Sequence, residues 1–177
     1  KALTGGELPI GAIVASKKIA DTFDHTEGSD GQFHHGVTYG GHPAVMAAGL
    51  KNLEIMEREG VVENSDKMGT YLYEKALSVL QENHPAVGFV GGGLGLLMAI
   101  EIVKNRKTKE KYPGGFNSEF SNRFTDIVRG NGLAIRAGDT ITLSPPLVIT
   151  QDLVDQIIDV LDRSLSQMER EFPPDNV

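Results

Sequence analysis

An α/β segment running into an α+β lobe is the architecture this sequence predicts. Three observations lead there. A nearly continuous apolar run, Pro9–Ala15, follows a glycine-bearing loop and suits a strand covered on both faces. Beyond it, apolar residues recur at helical spacing in four later segments, with shorter apolar runs set between them. Glycine, proline or a capping hydroxyl stands at most of the switches from one period to the other. Hydrophobic residues make up 40% of the 177 residues and charged ones 23%, with no low-complexity tract, so a packed fold is expected and disorder is not.

Each element has a local reason. Lys17–Phe23 reads as a short helix, His25–Gln32 as a polar loop and His34–Gly41 as a glycine-containing turn region. His42-Pro43 opens a helix, because proline at the first helical position gives up an N–H that has no partner there anyway. Val45, Ala48, Leu53 and Met56 continue it to about Glu59, and Gly60 stops it. Ser65 is placed to cap a helix carrying Met68, Tyr71, Leu72, Ala76, Val79 and Leu80 on one side, ended by His84-Pro85. Val87–Val90 and Leu96–Val103 read as strands around the run Gly91–Gly95, and Lys104–Gly115 as an exposed, charged loop. Phe120, Phe124, Ile127 and Val128 mark an amphipathic helix stopped by Gly130 and Gly132. Leu133–Arg136 and Thr140–Leu143 read as short strands joined by the turn Ala137–Asp139. Thr150 is placed to cap a long last helix with Leu153, Val154, Ile157, Ile158, Leu161, Leu165 and Met168 on its apolar face. The alternation from Gly60 onward suggests an α+β lobe of about 110 residues, an ordinary domain size.

Composition excludes several function classes. With 24 carboxylates against 17 lysines and arginines the chain is acidic, and no basic stripe with interleaved aromatics is present, which argues against nucleic acid as partner. The same balance disfavours an anionic membrane surface, and no segment approaches the ~20 apolar residues of a spanning helix. Cysteine is absent, so disulfides and thiolate metal sites do not arise, as suits a reducing, cytoplasmic compartment. No signal-peptide pattern is read at the start. Lys1 stands inside a structured motif rather than after a methionine, and the chain is expected to be the C-terminal part of something longer.

Three segments carry chemistry. Lys1-Ala2-Leu3-Thr4-Gly5-Gly6 sets a lysine before a small loop. A desolvated lysine amine forms Schiff bases with carbonyls, and the glycines let backbone approach a ligand closely. Phe33-His34-His35-Gly36-Val37-Thr38-Tyr39-Gly40-Gly41-His42-Pro43 places glycines and a threonine just ahead of a helix, where backbone N–H groups and the Thr38 hydroxyl can cradle a phosphate. His34, His35 and His42 lack a further ligand at metal-site spacing, so no metal is expected. In the third segment Arg136 lies beside the turn Ala137-Gly138-Asp139. Its planar guanidinium suits a substrate carboxylate; read alone, a surface pairing with Asp139 or another acid is the favoured reading. The glycine run Gly91–Gly95 has no helix directly after it and so lacks the context of a dinucleotide loop.

Taken with Pro145-Pro146-Leu147-Val148-Ile149-Thr150, these segments resemble the class III (fold-type I) aminotransferases that use pyridoxal 5'-phosphate, and within them the ω-amino acid or amine:pyruvate transaminase group. The resemblance covers essentially the whole chain, in order. It implies the end of a cofactor-binding large domain over 1–60, including an interdomain helix, and a small C-terminal α+β domain over 61–177. It implies that Lys1 is the Schiff-base lysine. It implies that Val37 and Thr38 reach the cofactor phosphate of the neighbouring subunit in a homodimer with shared active sites. Arg136 corresponds to the mobile arginine that takes the α-carboxylate and swings aside for an amine. Where many relatives carry Arg-Gly, Gly92-Gly93 stands here, which bears on local packing. A 2-oxoglutarate-dependent ornithine-type enzyme, an aminomutase, or a non-catalytic dimerisation lobe remain alternatives under the same resemblance.

Overall fold

The structure, a computed structural model, describes residues 1–24 and 33–175; the loop expected over His25–Gln32 lies outside the described residues. Two compact units divide the chain, Lys1–Glu59 and Gly60–Val177.

The first unit holds a 3-10 turn, Ala2–Thr4, and two helices, α1 (Lys17–Asp24) and α2 (Pro43–Arg58). Lys17 and Asp21, one helical turn apart, pair at 2.6 Å on the surface of α1. Pro43 occupies the first turn of α2 as its missing N–H allows. The strand expected over Pro9–Ala15 does not form: the segment has no regular structure, with Val14 95% exposed. A strand is stabilised by ladder bonds to a neighbour, and this unit contains no strand among the described residues to supply them.

Gly60, at φ 60°, turns the chain from α2 into α3 (Val61–Lys75). Ser65, expected as the cap, lies inside α3; Gly60 is the N-cap instead, and burial of Val61 draws the preceding turn into the helix. The helix runs on through π-type turns over Ala76–Gln81. There follow β1 (Val87–Gly91), β2 (Met98–Ile102), α4 (Glu119–Gly130), β3 (Thr140–Leu143) and α5 (Gln151–Glu171). The sheet order is β1-β2-β3, antiparallel throughout, with Val90 opposite Ile100 and Ile100 opposite Ile141. Met98, Ile100 and Ile102 alternate inward along β2, as a sheet covered on one face requires. The inward face meets Leu72 of α3, Phe124 of α4, and Val154, Ile158, Leu161, Leu165 and Met168 of α5 in one core. Those α5 residues fall at helical spacing along a single stripe. Each buried aliphatic side chain contributes roughly 1.5–3 kcal/mol by leaving water.

Three further expectations change. Leu133–Arg136 is not a strand: the Ile135 N–H bonds the Leu133 carbonyl two residues back, closing a local turn in place of a ladder. Thr150 holds the N-cap position of α5 without a side-chain cap bond, whereas Ser118 caps α4 by accepting from the Ser121 N–H at 3.1 Å. Within the loop after β2, Tyr112 is buried, stacked on Phe120 at 4.0 Å between centroids, and its hydroxyl donates to the Phe172 carbonyl. The glycine run after β1 serves packing: a Cβ on Gly69 of α3 would lie 2.0 Å from the Gly95 carbonyl oxygen, so only glycine lets the two backbones meet.

His84 ends the helical stretch inside a charged cluster. Its buried imidazole lies 2.9 Å from Asp162 and 3.0 Å from Glu169, one carboxylate at each ring nitrogen. Glu169 also accepts the Ala86 N–H, and Arg106 donates to the carbonyls of Gln81 and His84. A neutral imidazole can donate from one nitrogen only, so this arrangement calls for the imidazolium. Burial pulls the His84 pKa down, but the bonds to Glu169 and Asp162 outweigh it and hold the pKa above its ordinary value. The folded state therefore binds more protons than the unfolded one at pH values above the free-histidine range. The stabilisation is full below about 6.5 and is lost as pH rises through the raised folded value. Urea unfolding of the chain and of His84→Gln across pH 6 to 9 checks this. The variant should cost about 1–3 kcal/mol at the acid end, with the deficit shrinking toward pH 9; a deficit that stays level or grows would contradict it.

Candidate functional site

The Lys1 turn is fixed by its own backbone and by α2. The Gly5 and Gly6 N–H groups bond the carbonyls of Ala2 and Lys1 at 2.9 Å each. Both glycines have positive φ, 67° and 91°, a conformation glycine adopts without a Cβ penalty. Buried Thr4 closes the far side: its hydroxyl donates to the Leu8 carbonyl and accepts from the Leu8 N–H at 3.3 Å. From α2, the Asn52 amide donates to the Ala2 carbonyl at 3.0 Å and to the Leu3 carbonyl at 3.5 Å. Lys1 itself is exposed on this braced turn.

Val37 and Thr38 begin a second turn. The Gly40 N–H bonds the Val37 carbonyl at 2.9 Å, and the His42 N–H bonds the Tyr39 carbonyl at 3.3 Å on the way into α2. Gly41 has φ 72°. Val37 and Thr38 are exposed, just ahead of a helix N-terminus. Lys1 and Val37–Thr38 share the first unit, and among the described residues no hydrogen bond joins them.

Arg136 belongs to the second unit, exposed at a cavity of about 900 Å³ lined by Leu133, Ile135, Thr142, Pro146, Leu153 and Ile157 among others. The walls are mostly apolar, with an arginine on the rim: a surface able to take the apolar body of a small molecule and its carboxylate together. The next residue, buried Ala137, is held at both ends by Thr125 of α4. The Thr125 hydroxyl donates to the Ala137 carbonyl at 2.8 Å and accepts from the Ala137 N–H at 3.0 Å. Among the described residues no group of three or more His, Asp or Glu side chains could hold a metal ion, and no helix is long and apolar enough to cross a membrane.

The class-III aminotransferase family model matches residues 1–165, and the chain belongs to that family. A putrescine–pyruvate aminotransferase of Pseudomonas aeruginosa is 35% identical over 177 residues, spanning 94% of this chain and 35% of that protein. The chain thus covers about a third of that curated relative's length. Among solved structures, an (S)-enantioselective omega-transaminase from Thermomicrobium roseum superposes with a TM-score of 0.81 at 34% identity, over 94% of this chain and 36% of that one. An amine transaminase from an uncultivated Pseudomonas species, solved in its PLP-bound form, gives 0.85 at 33% identity, over 94% and 37%.

Thr4, Asn52 and Thr125 are bracing residues that sequence reasoning missed. Thr4 stood inside a quoted motif without a role, and nothing in the spacing ties Asn52 to a loop 50 residues away. Asn52→Ala removes the bonds from α2 to the Lys1 turn. It should destabilise that turn by about 1 kcal/mol, a net hydrogen bond's worth. Amide hydrogen exchange at Gly5 and Gly6 should quicken while the core strands keep their protection, and unchanged exchange at both glycines would contradict the role.

Proposed function

We propose that this chain is the C-terminal part of an aminotransferase that works with pyridoxal 5'-phosphate. It would move an amino group from an ω-amino acid or amine to pyruvate or a similar keto acid. Residues 1–60 would close the cofactor-binding domain and 61–177 would form the small domain. The observation that carries this is the family match over nearly the whole chain with Lys1, Thr38 and Arg136 all in place. The pyruvate in the name of the Pseudomonas aeruginosa relative supports the acceptor.

The donor set fits the cofactor: a primary amine on a braced turn for its aldehyde, and an exposed threonine hydroxyl ahead of a helix for its phosphate. When bound, the cofactor supplies the electron sink that stabilises negative charge at the substrate carbon. Lys1 would hold it through Nζ and, once free, carry a proton on Nζ to and from that carbon. That task needs a neutral amine. Val37 and Thr38 would donate to the phosphate of the neighbouring protomer, which makes a homodimer with shared sites the working unit. Arg136 would clamp the acceptor's carboxylate through two parallel N–H···O bonds and turn outward when the donor is an amine without one. The reading places the enzyme in the cytoplasm.

Two substitutions in the full-length enzyme test the assignment. Lys1→Ala should abolish the visible absorbance of bound cofactor and lower turnover by about 10³-fold or more, on the scale of losing a proton-transfer group and its covalent hold; retention of both signals would refute the lysine's role. Arg136→Ala should lower kcat/KM for pyruvate by about 100-fold, as loss of a charge-assisted pair predicts, and leave the single-turnover rate with an amine within about threefold. Equal losses on both sides would remove the carboxylate role.

A further inference from the structure

We infer that Thr125 of α4 is the positioning residue for Arg136, fixing the backbone from which the guanidinium reaches the acceptor's carboxylate. The inference rests on the carboxylate role proposed above for Arg136. A threonine inside a helix ordinarily bonds the carbonyl of its own preceding turn. Thr125 instead sends its buried hydroxyl out of α4, taking the Ala137 N–H at 3.0 Å and giving to the Ala137 carbonyl at 2.8 Å. The Ala137 N–H belongs to the peptide unit that leaves Arg136, so its hydrogen bond holds that unit in plane and direction.

Two neighbours complete the hold. Gly138 packs so closely on α4 that a Cβ there would lie 2.8 Å from the Ser121 hydroxyl oxygen. The Asp139 carbonyl accepts the Ile102 N–H at 2.9 Å, tying the turn to the end of β2. Before Arg136 the chain joins no sheet, and its backbone is held by the Leu133 N–H on the Val128 carbonyl of α4 at 3.2 Å and by the Ile135 N–H on the Leu133 carbonyl at 3.0 Å. The peptide unit that leaves Arg136 is thus tied to α4 by a side chain and the turn after it to β2, while the Arg136 side chain is exposed among the cavity-lining residues. A swing between carboxylate-binding and outward positions is then a rotation of the side chain about a stationary backbone, and its end point depends on the Thr125 hydroxyl.

Thr125→Val keeps the shape and removes the hydroxyl. In the full-length enzyme it should raise KM for pyruvate by about tenfold or more, the net cost of losing the hydroxyl's two bonds to Ala137. The single-turnover rate with the amine should stay within twofold, and Thr125→Ser, which keeps the hydroxyl, should restore pyruvate KM to within about twofold of the parent. Gly138→Ala disturbs the same turn without stranding a buried polar group. It should give the same one-sided rise, so the question stays decidable should Thr125→Val fail to fold. In the Arg136→Ala background, Thr125→Val should add nothing further to pyruvate KM, since a residue acting through the arginine has no effect once the arginine is gone. Unchanged pyruvate KM in both Thr125→Val and Gly138→Ala, equal losses for amine and pyruvate, or full additivity with Arg136→Ala would each overturn the inference. If Arg136→Ala itself showed no preference for pyruvate, the carboxylate reading would be what fails.

Discussion

Backbone that joins no sheet must still satisfy its N–H and C=O groups, and the candidate site of this chain is built on such backbone. The Lys1 turn, the Val37–Thr38 turn and the Arg136 turn all lie outside helices and strands, apart from the single 3-10 turn after Lys1. In the first and third of these, short polar side chains do what a ladder would otherwise do. Thr4 and Asn52 take up Leu8, Ala2 and Leu3; Thr125 takes up Ala137. The Val37–Thr38 turn relies on two backbone bonds of its own. The division is chemically sensible: a group that must meet a ligand sits on a loop for access, and a buried hydroxyl or amide from a neighbouring helix or from the loop itself removes the looseness a loop would bring.

The second unit has the means to provide that rigidity. Its core draws on the sheet and on three helices, and α5 alone contributes five fully or almost fully buried apolar side chains. The same helix supplies Asp162 and Glu169 to His84, so the α5 stripe and the charged cluster fasten one element twice, by apolar burial and by ion pairing. The two contributions respond differently to conditions. Burial is indifferent to pH, whereas the imidazolium's share is withdrawn as the ring deprotonates. α4, which carries Thr125 with Phe124 beside it, is held to α5 in both ways too, by the wholly buried Phe124 and by the Arg123–Glu171 pair at 2.7 Å.

Legibility in the sequence followed the physics of each signal. The helices were plain because a 3.6-residue stripe repeats over several turns, as in Val154, Ile158, Leu161 and Leu165. β2 and β3 were readable from short apolar runs. Pro9–Ala15 and Leu133–Arg136 misled because apolar content speaks for burial, while a strand needs a partner that the sequence of the segment does not name. Ser65 misled because a capping residue type is common and the decisive feature, Gly60 at positive φ, served two helices at once. Lys1, Thr38 and Arg136 stood out as chemistry-bearing types in motifs. Their supports did not, because Asn52 and Thr125 act through backbone contacts that only the folded path of the chain creates.

The two units differ in how well each accounts for its own apolar residues, and the difference bears on the proposed role. In Gly60–Val177 the large aliphatic side chains of the sheet's inner face and of α5 are gathered in one core. In Lys1–Glu59, Ile13, Val14, Ile19, Val37, Tyr39, Leu50 and Leu53 all remain substantially exposed, and the buried residues among the described ones are only Thr4 and Gly49. A surface that apolar is usually a contact surface. It supports the proposed reading of this unit as the margin of a larger domain, whose exposed aliphatic side chains would meet the rest of that domain or a second copy of the chain.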